Sequence, residues 1–165
     1  MNTMRISAPS PRKAVRCAWL AGIAFLLALP VATSAELGGD FTSVLADQAH
    51  MKATLKTTEA EAYTVHEIRA PSGTAVREYV SPAGKVFAVA WRGPFLPDLH
   101  QILGASFTTF TQNVQAQRTQ RSGRGPVVVK QDALVVKSLG HARNYFGKAY
   151  LPELMPQGVK DQDIR

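Results

Sequence analysis

The sequence predicts an α+β domain: an antiparallel sheet built from two three-stranded blocks, packed on one long helix in the order β3-α-β3. Three observations predict it. Short runs rich in β-branched and aromatic residues recur, each bounded by Pro/Gly/Ser turns. A single stretch carries a strong 3.6-residue apolar period behind a capping signal. The 165-residue length and 45% hydrophobic content suit one core, and exclude collagen, coiled coils and a wholly disordered chain.

The chain opens on a leader. Arg5, Arg12, Lys13 and Arg16 stand without an acidic residue among them, and residues 17–32 are apolar up to and beyond Pro30. Thr33, Ser34 and Ala35 then offer small residues to signal peptidase, so residues 1–35 read as a signal peptide cut between Ala35 and Glu36. The apolar run is shorter than the roughly 20 residues that span a bilayer, which favours cleavage over an anchor. The only Cys, Cys17, precedes that run rather than following it, which argues against a lipoprotein.

Without the leader, 15 basic and 12 acidic side chains remain, a net of +3 where the whole chain has +7. That small footprint argues against nucleic-acid binding. The same cut removes the one thiol, so an exported domain is expected to close on its hydrophobic core with no disulfide. Its place would be periplasmic or extracellular, with the export machinery and signal peptidase as partners of the leader and no membrane span in the mature part.

Residues 36–62 read as a mobile arm or a marginal helix, because Phe41, Val44, Leu45, Ala49, Lys52 and Leu55 fall near helical spacing while residues 56–61 have nothing to bury. Residues 63–156 form the domain proper. Residues 63–69, 74–80 and 85–92 are three strands joined by Pro71-Ser72-Gly73 and Ser81-Pro82-Ala83-Gly84 turns. The third is apolar on both faces, as a central strand covered twice would be.

Asp98 then opens the helix, with Gln101 placed to close a capping box, and Leu99, Ile102, Leu103, Phe107, Phe110 and Val114 make its buried stripe to about residue 120. Strands are expected again at residues 127–131, 134–138 and 143–151. Residues 157–165 read as a polar tail.

The run Val76-Arg77-Glu78-Tyr79-Val80-Ser81-Pro82, with Gly84, Trp91, Gly93-Pro94 and Pro97-Asp98-Leu99, resembles a set of short exported proteobacterial proteins grouped as domain-of-unknown-function family 2844. Gly123-Arg124-Gly125-Pro126, Leu134-Val135-Val136, Gly140-His141 and Ala149-Tyr150-Leu151-Pro152 agree as well, so the resemblance runs from about residue 37 to residue 164. It implies export and a shared fold, and brings no activity, cofactor or catalytic residue.

No residue pattern names a reaction. His50, His66, His100 and His141 lack zinc-type spacing, no G-x-S-x-G elbow occurs, and neither phosphate-binding glycine fingerprint is present, so no catalytic residue, metal or cofactor is assigned. The leading reading is a non-enzymatic binding or structural module of the envelope. Arg118, Arg121 and Arg124 are its candidate contact with an envelope component or acidic partner, set against a solvated helix end that the dipole alone explains. One alternative is a small hydrolase or lyase using Glu78, His66 or His141 across the sheet. Another is a carrier holding an apolar ligand between helix and sheet, among Phe87, Trp91, Phe107, Phe110, Tyr145 and Phe146. Ordinary core is the better reading of those aromatics, since a domain without disulfides needs bulky residues to bury.

Overall fold

The computed structural model describes residues 36–120 and 125–165, all within one compact unit, Ala32–Arg165. The leader and its cleavage point at Ala35, together with Arg121 and Arg124, lie outside the described residues. The fold class is α+β. Helices α1 (Phe41–His50), α2 (Leu99–Leu103) and α3 (Ser106–Gln120) accompany strands β1 (Thr54–Glu59), β2 (Thr64–Arg69), β3 (Ala75–Val80), β4 (Val86–Gly93), β5 (Val127–Lys130), β6 (Val135–His141) and β7 (Asn144–Tyr150). All seven strands join one antiparallel sheet in the order β1-β2-β3-β4-β7-β6-β5.

The β3-α-β3 arrangement is therefore corrected: four strands, not three, precede α2. The additional strand, β1, occupies the segment expected to be helix or arm. Its Thr54, Thr57 and Thr58 favour extended backbone, and the full β1–β2 ladder satisfies its amides on one side. As an edge strand it leaves most of its polar side chains in water, which removes the alternation by which a strand is recognised.

At the centre stands β4, and its first six residues are buried, as expected of a strand covered twice. One face meets the helices through Ile68, Val76, Val89, Trp91, Ile102, Leu103, Phe110 and Val136. The layer between helices and sheet is thus filled by side chains. Phe87, Tyr79, Ala88 and Ala90 point the other way into a second cluster.

Two local readings of the helices change. Asp98 accepts from the His100 and Gln101 amides as an N-cap should, but the Gln101 side chain donates to Asp47 Oδ1 instead of returning to Asp98. The long helix is also divided at Gly104 (φ +51°), and Glu36 fills the notch, its Oε1 accepting from the Ala105 amide at 2.8 Å. A Cβ at residue 104 would stand 1.9 Å from Glu36 Cγ, so only glycine fits there.

In α1, Asp40 is the N-cap, accepting from the Thr42 amide. The helix buries Ser43, Val44 and Asp47, while Phe41 and Leu45 of the expected stripe are each 43% exposed.

Residues 157–165 are not a free tail. They run back across the second face of the sheet: Ile164 is 1% exposed, and Met155 and Val159 pack beside it. Polar bonds fasten the same segment, with the Arg165 amide donating to the Tyr79 hydroxyl at 2.9 Å and Lys148 Nζ donating to the Ile164 carbonyl at 3.0 Å. This cover reaches only part of the face.

Candidate functional site

Two constellations stand out, one on each face of the sheet. Under the helices, the β2–β3 register sets His66 opposite Glu78, and α1 brings Asp47 to the same place. Asp47 is 0% and Glu78 1% exposed. Among the described residues no Lys or Arg reaches either carboxyl. Gln101 Nε2 donates to Asp47 Oδ1 at 2.8 Å, leaving Asp47 Oδ2 and both Glu78 oxygens without a partner if both groups are ionised. One proton held between the two carboxyls supplies the missing donor.

Electrostatics give the same result. Burial, and then the Asp47 charge, push the Glu78 carboxyl up to about 9, while burial also raises Asp47. His66 is lowered by burial, and its Nδ1 lies 3.0 Å from Thr57 Oγ1 under the Phe41 ring. A carboxyl kept protonated near neutral pH has the chemistry of a general acid. Here, however, both carboxyls are sealed beneath α1 and α2, so their work is to tie the helices to the sheet.

Of the three residues expected to share a site across the sheet, the structure joins two, His66 and Glu78. His141 ends β6, exposed, and β4 and β7 lie between its strand and β3. The spacing gave no signal for Asp47, whose partners come from β3 and α2. Arg118 is exposed on α3. Among the described residues no three His, Cys, Asp or Glu side chains converge as metal ligands, and no helix is long and apolar enough to cross a membrane.

The opposite face carries the second constellation. Registers align Arg77, Ala90, Lys148 and Lys137 across β3, β4, β7 and β6, and in the next row Arg92, Phe146 and Leu139. The row beyond Arg77, through Tyr79 and Ala88, is the one that the C-terminal segment covers. The row of Arg92 stays open, and together with the row of Arg77, whose Arg77, Lys137 and Lys148 bond to the edge of the C-terminal segment, it lines a recess of about 490 Å³ that Trp91, Ile164 and Arg165 complete. A smaller pocket of about 250 Å³ around Arg69 and Ala75 adjoins it, sharing Arg77, Trp91, Arg92 and Arg165.

The rim is basic. Glu67 pairs with Arg69 at 2.6 Å and Arg77 at 2.7 Å, and hydrogen bonds from Arg77 and then Arg69 hold it below the usual carboxylate range. Asp161, in the C-terminal segment, pairs with Lys137 at 2.7 Å and Lys148 at 3.2 Å. The Arg92 guanidinium lies 5.7 Å above the centre of the Phe146 ring. Phe146, expected among the core aromatics, is half-buried in this open row. Alternation along residues 143–151 separates Phe146 and Lys148 from Ala149, but which face stays open depends on where the C-terminal segment lies.

A family model described as "Protein of unknown function (DUF2844)" matches residues 33–164. Comparison with curated proteins and with solved structures gives no match.

Proposed function

The chain belongs to the DUF2844 family of proteins of unknown function, and we propose that it is an exported, non-enzymatic binding module whose working surface is the open half of the sheet's second face. The observation that carries this is the recess itself. The chain seals one half of the face with its own C-terminal segment and leaves Leu139 and Phe146 in an uncovered concavity beside it. An apolar concavity with a few convergent polar groups is the usual form of a binding site.

Export rests on the basic leader, the apolar run and the small residues before Glu36. It is supported by the placement of Glu36, which would head the cleaved chain and already anchors the start of α3. The buried Asp47–Glu78 pair favours a binding role over hydrolase or lyase chemistry, because its carboxyls face protein on all sides.

Cell fractionation with mass measurement of the purified protein tests export: a chain beginning at Glu36 outside the cytoplasm is expected, and a full-length cytoplasmic chain would overturn it. An environment-sensitive naphthalene-sulfonate dye tests the surface. Bound dye should be lost in Leu139→Gln, and equal dye binding in that variant would place the surface elsewhere.

A further inference from the structure

We propose that the recess takes a free, single-chain amphiphile bearing one anionic head group, a fatty carboxylate being the simplest, with Arg92 at the head and Leu139 and Phe146 along the chain. This rests on the reading of that face as the binding surface, and adds the class of ligand.

Charge selects the head group. The recess and the pocket beside it are lined by six cations, Arg69, Arg77, Arg92, Lys137, Lys148 and Arg165, and by no Asp or Glu. Four of the six are answered by carboxylates standing outside the lining, Glu67 for Arg69 and Arg77, Asp161 for Lys137 and Lys148. Arg92 and Arg165 have no carboxylate partner among the described residues. Two carboxylates against six cations leave the rim with a net positive charge centred on Arg92 and Arg165, which disfavours a cationic ligand and leaves a neutral one without a partner for that charge.

Geometry selects the chain. Arg92 lies over Phe146, so its guanidinium sits where the apolar floor meets the basic rim. Its planar fork matches a carboxylate bidentately while the ring and Leu139 continue the apolar path. The volume of about 490 Å³ falls within the span typical of small-molecule sites.

A single molecule also fits better than a bilayer surface. Leu139, Phe146 and Ile164 are half-buried or buried in a concavity, whereas the protruding apolar side chains, Phe95 at 60% exposure foremost, lie outside it. A bilayer would call for protruding anchors around the basic residues.

Isothermal titration calorimetry reads occupancy and stoichiometry directly. The purified protein is titrated with octanoate, decanoate and dodecanoate below micelle formation, and with dodecanol, dodecyltrimethylammonium and phosphatidylglycerol vesicles. One-to-one binding that tightens about fourfold per methylene is expected for the carboxylates. Arg92→Gln should weaken dodecanoate about tenfold or more and leave dodecanol unchanged, and Leu139→Gln should weaken both; melting curves confirm that each variant is folded. Dodecanol or dodecyltrimethylammonium binding as tightly as dodecanoate, in a manner sensitive to Leu139→Gln, would overturn the ligand class and leave the binding surface standing. Binding of vesicles without binding of free dodecanoate would overturn the proposal in favour of a membrane surface. No binding by any probe, or binding indifferent to Leu139→Gln, would remove both readings.

Discussion

Asp47 on α1 and Glu78 on β3 are two carboxyls buried against each other, and the side-chain donor that reaches the pair is Gln101 of α2, not a cation. Ion pairing normally offsets such burial. Here protonation does, and that ties the stability of the domain to pH.

Glu78 titrates at about 9 in the folded protein, from an ordinary value of 4.5, and Asp47 is raised as well, so the folded state holds protons that the unfolded state releases. The stabilising share of Glu78 is complete below 4.5 and is lost as pH climbs to about 9. His66 acts in the opposite sense, because burial lowers it: its share is present above its unfolded value of 6.5 and is lost as pH falls below that. From pH 6.5 up to about 9 the carboxyls therefore act without opposition from His66. Unfolding free energy from urea melts should fall between pH 7 and 9 with a limiting slope of about 1.4 kcal/mol per pH unit. Glu78→Gln, which keeps the shape and the neutral state, should flatten that slope and raise stability at pH 8. Equal slopes in the two proteins would show that no shared proton is held there.

The notch at Gly104 makes a second prediction. Alanine there meets two obstacles, a left-handed φ of +51° and the Glu36 side chain. Gly104→Ala should cost about 2 kcal/mol or more. Adding Glu36→Gly removes the Glu36 side chain that the new Cβ would meet but leaves the backbone strain, so the double variant should lose less than the two single changes together. Strict additivity in thermal melts would mean that Glu36 does not fill the notch.

These features show what was legible in the sequence. Where a residue's fate depends on its own element, the pattern carried through: the apolar run of β4 gave the central strand, and the stripe from Leu99 to Val114 gave the helices that cover it. Where fate depends on a distant partner, it did not. β1 is polar because β2 supplies its order through the backbone, Gln101 leaves its expected cap for Asp47, and Ile164 is one apolar residue in a polar stretch whose burial is decided by Tyr79 and Phe87. The open recess is the complement of that last choice. Its side chains alternate legibly, but only the path of the C-terminal segment says which rows stay uncovered.

Two basic sets compete for any anion. Arg118 lies on the exposed side of α3, joined in sequence by Arg121 and Arg124, while Arg92 stands over an apolar floor. Solvated charges with no apolar contact contribute little to affinity for an amphiphile. Arg118→Ala should leave dodecanoate affinity within about twofold and the melting point nearly unmoved, since exposed substitutions usually shift stability by no more than about 0.5 kcal/mol. A loss matching that of Arg92→Gln would move the contact to the helix end.

The C-terminal segment holds to the sheet through Ile164, buried against the cluster of Tyr79, Phe87, Ala88 and Ala90, and through bonds that place charge above a low-dielectric face. The ion pairs of Asp161 are partly solvated, so Asp161→Asn should cost less than about 1 kcal/mol. Ile164→Ala removes buried methyl groups and should cost about 2 kcal/mol, near the low end for such a truncation because the site lies beneath a single layer of chain. The two variants also part in hydrogen exchange. With Ile164→Ala the amides of residues 159–165 should lose protection before those of β3 and β4, because the clasp opens without the sheet. Protection lost in step across the clasp and the central strands would mean instead that the segment folds as one cooperative unit with the sheet, and that the recess cannot be widened without unfolding the domain.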